Sequence, residues 1–299
     1  MVLEARPEVS QKAGTAASHR KRPMSIFQEP KIDCHTHVLD PVNFPYGKDI
    51  EYKPTGQEMA SAGQLAQVMK TYGVKHSLLV QPNSGYGSDN ACLLDTIARS
   101  EGRLKGIAII DFDADHATLR DLKKRGVVGA AFNPTFHGNE YYRNAAGLIA
   151  RLIEYDMFLQ IQVEHDQLLM FVPWIEKMPI KILIDHTGRP TPGAGLGQPG
   201  FQALLRLAAT QRVNVKLSGY SKFSNLPYPF EDTWPFVGAL VEAFTLEHCL
   251  WASDWPFLRA PMRQDYGPLV ELVEILFPDV EDRQALFWKT PQRLFGFGQ

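Results

Sequence analysis

The stretch Ile32-Asp33-Cys34-His35-Thr36-His37 decides how the rest of the sequence is interpreted. An apolar residue and an acid lead into two histidines separated by one residue, at the end of a short segment with strand character. On a strand, residues i and i+2 point to the same face, so both imidazoles are expected at one place. Two imidazoles held together can bind a metal ion or polarise a carbonyl oxygen.

Apolar runs with the length of strands recur along the chain after this stretch. The eight runs are KIDC (31–34), SLLVQ (77–81), KGIAII (105–110), GAAFN (129–133), FLQIQV (158–163), KILIDH (181–186), NVKLSG (214–219) and CLWASD (249–254). Segments with helical spacing of apolar residues lie between them, as in 64–73, 91–102 and 145–156. Buried strands that alternate with helices predict a parallel α/β sheet, and eight such units favour a single (β/α)8 TIM barrel. An open doubly wound sheet is the alternative, but no glycine-rich phosphate loop follows the first strand.

Composition narrows the function classes. The 31 basic and 33 acidic residues give a net charge of −2, without the basic footprint of a nucleic-acid-binding protein. No apolar run approaches the length of a membrane span. Three cysteines indicate a reducing compartment, so a cytoplasmic location is expected. Residues 1–29 are predicted to be a disordered extension, and residues 30–299 to form the barrel.

Polar residues end most of the predicted strands. In chain order they are His35 and His37, Gln81, Asn133, Gln162, Asp185 and His186, Ser218 and Asp254. Active sites of these barrels lie at the carboxyl ends of the strands, where catalytic side chains from several strands meet. Packing alone would not favour polar residues at so many strand ends, so an active site is predicted there.

Several segments together resemble the amidohydrolase superfamily. They are IDCHTHVLDP, LVQPNSGYGSDN, ILIDHTGRP, GLGQPGF and LWASDWP. The combination is similar to the branch that contains 2-pyrone-4,6-dicarboxylate lactonase and related sugar-acid lactonases. The resemblance implies a (β/α)8 barrel and hydrolysis of a small lactone, often with no required metal. Asp254 would then activate water, while His35, His37 and His186 polarise the carbonyl.

The resemblance also bears on metal binding. Members with two metals carry a lysine or glutamate on strand four and a histidine on strand five, whereas this chain offers Asn133 and Gln162 there. A two-metal site is therefore not expected. No cofactor is required on this interpretation. One zinc ion held by His35, His37 and Asp254 stays open, since three protein ligands and a water make a catalytic zinc site.

Substrate-binding residues are predicted on the loops that follow the strands. The candidates are Ser84, Asn133, Gln162, Arg189, Lys222 and Arg259. Members specific for dicarboxylates place arginines at and beyond strand four, where this sequence has Ala131 and His137. The predicted partner is thus a small lactone with a carboxylate or other anionic group, and the missing arginines argue against pyrone dicarboxylate as that lactone. Two other functions stay open: a single-zinc decarboxylase of a small aromatic or unsaturated acid, and a binding protein on a barrel without chemistry.

Overall fold

Eight parallel strands form the centre of the protein, as a computed structural model of residues 25–298 shows. Within these residues each strand pairs with the next in chain order, from the first to the eighth. The strands are β1 Lys31–Thr36, β2 Val74–Val80, β3 Leu104–Ala108, β4 Val127–Phe132, β5 Phe158–Ile161, β6 Lys181–Ile184, β7 Val213–Leu217 and β8 Cys249–Trp251. This parallel order confirms the predicted TIM barrel and excludes the doubly wound alternative.

Helices surround the strands. They are α1 Ala62–Thr71, α2 Ala91–Ala98, α3 His116–Lys124, α4 Pro134–His137, α5 Ala146–Glu154, α6 Val172–Lys177, α7 Pro199–Leu207, α8 Trp234–Phe244, α9 Tyr266–Leu276, α10 Val280–Gln284 and α11 Thr290–Phe295. A π-helical turn, Ala285–Lys289, joins α10 to α11. In residues 25–298, no helix combines the length and the apolar character that crossing a membrane requires.

Each predicted apolar run overlaps a strand, and the differences lie at the strand ends. β5 ends at Ile161 and β8 ends at Trp251. Gln162 and Asp254 therefore belong to the loops that follow these strands. Sequence periodicity locates a strand more reliably than its last residue, because regular strand pairing stops before the polar residues at the barrel mouth.

Part of the predicted extension packs against the barrel. Ile26 is buried, and the carboxylate of Glu29 forms a buried ion pair with Arg283 at 2.8 Å. The ammonium of Lys31 donates hydrogen bonds to the carbonyl oxygens of Glu29, at 2.6 Å, and of Ile26. Residues 25–29 are thus part of the folded body, and the predicted boundary at residue 29 is placed too late. The prediction for residues 1–24 lies outside the described residues.

Asp33 connects the first strand of the barrel to the segment that follows the last strand. Its Oδ1 accepts hydrogen bonds from the backbone N–H of His35, at 3.2 Å, and of Ser253, at 2.9 Å. The Tyr266 hydroxyl donates to Asp33 Oδ2 at 2.8 Å. Backbone bonds between β1 and the segment after β8 complete the closure, with the Asp254 N–H donating to the His35 carbonyl at 2.9 Å. This contact places the first histidine and Asp254 side by side.

Replacing Tyr266 with phenylalanine tests the closure. The variant removes one donor from a buried carboxylate, and hydrogen bonds to charged groups contribute about 1.5–3 kcal/mol. We expect the free energy of unfolding, measured by urea titration, to fall by about that amount. Tyr72→Phe is the matched control, because the Tyr72 ring stacks on Tyr266 at 4.8 Å. Equal stabilities of the two variants would contradict a closing role for the Asp33 contact.

Candidate active site

Asp254 lies at the centre of three histidines at the carboxyl end of the barrel. Its Oδ1 is 3.5 Å from His37 Nε2, 3.6 Å from His186 Nε2 and 3.7 Å from His35 Nε2. Its other oxygen, Oδ2, pairs with the ammonium of Lys222 at 2.9 Å. All four side chains of the predicted catalytic set therefore meet at one carboxylate oxygen, on loops and strand ends far apart in the sequence.

The opposite nitrogen of each ring is held by the protein. His37 Nδ1 donates to the carbonyl oxygen of Val80 at 2.8 Å, and His186 Nδ1 lies 3.1 Å from Ser218 Oγ. His35 Nδ1 lies 3.3 Å from the Asp185 carboxylate. Contacts of this kind fix the ring orientations, so each Nε2 atom faces the same small volume beside Asp254.

The backbone is strained where it carries the site. His186 and Asp254 adopt left-handed conformations, with φ of +53° and +65°. Gly219 follows β7 with φ of +66°, and a Cβ atom there would lie 2.6 Å from the His186 ring. Residues in sparsely populated backbone regions persist only where the surroundings enforce them. The turn after β6 and the glycine after β7 therefore bring the His186 ring over the barrel mouth.

Burial and charge act in opposite directions on Asp254. Burial alone would raise its pKa, but the Lys222 ammonium, followed by the imidazoles of His186 and His37, holds the pKa well below its usual range. These neighbours together thus outweigh burial in setting the ionisation of Asp254. Asp254 is a carboxylate throughout the neutral pH range.

His35 and His186 are neutral at neutral pH. Burial is the main cause, with the Lys216 charge next for His35, and it lowers the pKa of His35 to about 4. Burial likewise lowers the pKa of His186 to about 3. Neutral imidazoles can serve as metal ligands or hydrogen-bond donors, but these two do not supply a fixed positive charge.

A buried polar network lies under His35. The Lys216 ammonium contacts Asp185 Oδ1 at 2.9 Å, Gln160 Oε1 at 2.5 Å and His35 Nδ1 at 3.3 Å. Gln160 Nε2 donates to the other Asp185 oxygen at 2.7 Å. These side chains are at most 2% exposed, so the network is shielded from solvent and holds the first histidine from below.

A cavity of about 350 Å³ opens above the four catalytic candidates, a size suited to a small ligand. All six predicted substrate-binding residues line it: Ser84, Asn133, Gln162, Arg189, Lys222 and Arg259. His35, His37 and Asp254 line it too, whereas His186 does not line it and contacts Asp254 Oδ1 at 3.6 Å. The structure thus brings the predicted residues together; their individual roles stay predictions.

The three cations at this cavity differ in their partners. Arg189 pairs with Glu164 at 2.9 Å, so its charge is already compensated. Lys222 pairs with Asp254. The Arg259 guanidinium lies over the Tyr52 ring at 5.1 Å and forms no salt bridge within residues 25–298. Arg259 is therefore the cation most available to an anionic ligand.

The order of these groups along the chain agrees with a known family. The amidohydrolase family profile matches residues 32–297, from the first strand to the end of the barrel. The chain belongs to the amidohydrolase family. The matched range includes the three histidines, the turn after β6 and Asp254.

Named relatives give this amidohydrolase its context. It is 34% identical over 290 residues to 4-sulfomuconolactone hydrolase from Rhizobium radiobacter, covering 93% of this chain and 94% of that protein. It is 28% identical to 2-pyrone-4,6-dicarboxylate hydrolase from Comamonas testosteroni, covering 88% and 89%. A zinc-bound amidohydrolase structure from Burkholderia multivorans shares the fold, with a TM-score of 0.71 at 21% identity over 90% of this chain and 99% of that one.

The donor atoms of this amidohydrolase fit one divalent metal ion. Ligand atoms of His35, His186 and Asp254 all lie within 4.8 Å of one another. His186 Nε2 is buried and has no hydrogen-bond partner among the described residues. Nitrogen and carboxylate ligands are those that zinc prefers. The compact group contains His186 where the predicted zinc set contained His37, because the turn after β6 brings the His186 ring over Asp254.

Sequence reasoning missed Lys216 and Gln160. Both lie inside strands that were predicted from their apolar neighbours, and neither ends its strand. One signal was present: polar residues occupy every second position of β7 and the residue after it, at Asn214, Lys216 and Ser218. That spacing places three polar side chains on one face of a buried strand, which packing alone would disfavour.

Proposed function

We propose that this amidohydrolase opens the ring of a small anionic lactone by water attack. Asp254 takes a proton from water as the water oxygen bonds to the carbonyl carbon. The ring C–O bond then breaks, and the proton passes to the leaving alkoxide, which yields a hydroxy acid. The imidazoles of His35, His37 and His186 surround the position where negative charge develops on the carbonyl oxygen.

One observation carries the proposal: a single ionised carboxylate oxygen lies 3.5–3.7 Å from three imidazole nitrogens at the floor of an open cavity. This arrangement offers a general base and three imidazole groups that can hydrogen-bond to one carbonyl group. The names of the two curated relatives, both hydrolases of small lactones carrying anionic groups, support the same substrate class. Cations at the cavity match an anionic substituent.

Lys222 links substrate charge to the strength of the base. A carboxylate with a strongly lowered pKa is a weak base, and Lys222 is the main cause of the lowering. Lys222 lines the cavity, so an anionic group of the substrate can share its ammonium. Sharing that charge would raise the pKa of Asp254 in the complex, which favours turnover of anionic over neutral lactones.

A bound zinc ion would be held by His35, His186 and Asp254, with His37 adjoining. Zinc lowers the pKa of bound water and polarises carbonyl oxygens. The protein's own residues have the same roles with or without a metal ion: His37 and His186 stay oriented by Val80 and Ser218. Arg259 and Lys222 remain available to the substrate anion.

A panel of lactones tests the proposed activity. Proton release would be measured with purified protein on muconolactones, pyrone dicarboxylates, aldonolactones and their neutral analogues. We expect hydrolysis of an anionic member. The matching neutral lactone should be hydrolysed more slowly by about tenfold or more, because it cannot form a charge pair with the cations of the cavity. Proton release from no member would refute the proposal. Faster turnover of the neutral analogues would refute the role of the cations.

Metal removal distinguishes a metal-dependent site from a metal-free one. Loss of turnover on dialysis against a strong chelator, with recovery on adding one equivalent of zinc, would make His35, His186 and Asp254 metal ligands. Metal content before and after dialysis is the control. Unchanged turnover in protein shown to be metal-free would assign the activation of water to Asp254 and the imidazoles alone.

The alternatives receive less support. Both curated relatives described above are named as lactone hydrolases, which favours hydrolysis over decarboxylation of an aromatic or unsaturated acid. A binding protein without chemistry would not need the intact group around Asp254. Carbon dioxide release from aromatic acids, assayed with zinc present, would distinguish the decarboxylase directly.

A further inference from the structure

A second cavity adjoins the candidate active site. It has a volume of about 320 Å³ and shares Asn83, Ala131, Phe132 and Phe136 with the first cavity as lining residues. The shared residues make the two cavities direct neighbours, with Asn83 between them. None of the residues predicted to bind substrate lines this space.

Aromatic rings form much of its wall. The imidazole of His137 stacks on the Tyr141 ring, with centroids 4.3 Å apart and planes 16° from parallel. Phe112 lies 5.3 Å from Tyr141. The Tyr141 side chain remains 54% exposed, although it packs on two rings. A stacked pair with an exposed aromatic face favours a flat, unsaturated group as its ligand.

Charges at this cavity oppose those at the active site. Its lining includes the acidic residues Asp49, Glu51 and Asp111, and no lysine or arginine of the described chain lines it. Burial lowers the pKa of His137, so that ring adds no positive charge. Three exposed carboxylates repel an anion, whereas the first cavity has Lys222 and Arg259. The two cavities therefore select different ends of one molecule.

A row of uncharged side chains connects the two spaces. Gln162 Nε2 donates to Thr135 Oγ1 at 3.0 Å, and that hydroxyl donates to Asn133 Oδ1 at 2.5 Å. Asn133 Nδ2 donates to Asn83 Oδ1 at 3.0 Å, and Asn83 Nδ2 donates to His137 Nε2 at 2.9 Å. The row fixes the His137 ring relative to the active site, so the stacked pair is a preformed wall.

We propose that the second cavity binds an uncharged aromatic or unsaturated arm of the substrate, while the anionic group binds near Arg259. This inference rests on the proposed lactone hydrolysis and narrows its substrate class. The lactone then has three parts: a reacting ring over Asp254, an anionic group, and a flat apolar arm against Tyr141. Stacking on one ring contributes about 0.5–1.5 kcal/mol beyond area burial, or up to about tenfold in affinity.

Matched substrates test the arm. We would compare kcat/KM for three carboxylated lactones of one ring type, bearing a methyl, a phenyl or a carboxyphenyl arm. The kcat/KM of the phenyl compound is expected to be about tenfold higher than that of the methyl compound. Its advantage over the carboxyphenyl compound should be larger still. Tyr141→Ala should remove the phenyl preference and leave turnover of the methyl compound unchanged. Tyr228→Ala is the control, since Tyr228 is an exposed aromatic residue that lines neither cavity.

Each outcome separates this inference from the proposed function. Hydrolysis of all three lactones at equal rates, or equal losses for all in Tyr141→Ala, would overturn the arm site and leave lactone hydrolysis standing. If none of the three is turned over, the wider lactone panel decides the proposed function, and binding of cinnamate by calorimetry tests the second cavity. Weaker cinnamate binding in Tyr141→Ala than in Tyr228→Ala would support the cavity. Equal binding in the two variants would overturn it.

Discussion

Asp254→Asn is expected to lower kcat by roughly 10³-fold, the usual contribution of a positioned general base. Asparagine keeps the shape of the side chain but cannot accept a proton from water. It also removes the charge that holds Lys222 at 2.9 Å. Lys222 retains its hydrogen bond to the Leu258 carbonyl oxygen at 2.9 Å, so the loop after β8 keeps one of its contacts. Circular dichroism and thermal unfolding should show a folded protein.

The control for this variant is Asp265→Asn. Asp265 pairs with Arg263 at the surface, outside the cavity, so the same chemical change is expected to leave kcat intact. Lactone turnover by the two variants, assayed at equal concentration, gives the comparison. Full activity in Asp254→Asn would remove Asp254 from the mechanism, and equal losses in both variants would indicate a general effect of charge.

The barrel was predictable from sequence because its strands are short, apolar and evenly spaced. Buried parallel strands cannot alternate polar and apolar residues as surface strands do, so each one stands out as an apolar run. The helical segments between them are recognised by apolar residues that recur every three to four positions. Residues 25–29 were misassigned because only tertiary contacts, such as the Glu29–Arg283 pair, show that they belong to the barrel.

The catalytic candidates were predictable for a different reason. His35, His186 and Asp254 are polar residues directly beyond apolar runs, and barrel topology brings strand ends together. The partners of each group were not predictable. Whether Lys222 or aromatic burial controls the pKa of Asp254 depends on side-chain positions within a few ångströms, which spacing along the chain does not fix.

The second cavity could not be predicted from the sequence. Phe112 lies in the loop after β3 and Tyr141 in a helical turn between α4 and α5, 29 positions away, and nothing in their spacing indicates contact. Loop conformation depends on tertiary packing more than on local pattern. Substrate specificity in a barrel of this kind resides in such loops, so the reaction class was easier to predict than the substrate.

Lys216→Met is expected to reduce the free energy of unfolding by about 3–5 kcal/mol, the usual effect of breaking a buried ion pair. Methionine fills much of the space of lysine but leaves the Asp185 carboxylate without its main counter-charge. Burial raises the pKa of that carboxyl group, and Lys216, followed by His35, outweighs burial and holds it below its ordinary value. Without the ammonium, burial would oppose the charged form of Asp185.

A double variant isolates the pair from the packing. In Lys216→Met/Asp185→Asn no buried charge is left over, so we expect much of the lost stability to return. Urea unfolding of the wild type, both single variants and the double variant gives the coupling free energy. Additive losses would show that the two side chains act independently and would contradict the pair.

The same four proteins test whether the network positions the active site. His35 Nδ1 lies 3.3 Å from both Lys216 and Asp185, so either single variant changes the contacts that orient the His35 ring. Because the network lies beneath the cavity and lines it only through Gln160 and Asp185, we expect kcat to fall by about tenfold or more while KM changes little. A purely structural network would instead lower the active fraction. Rates normalised to the folded fraction distinguish the two: a lower kcat per folded molecule supports a positioning role, and an unchanged kcat per folded molecule contradicts it.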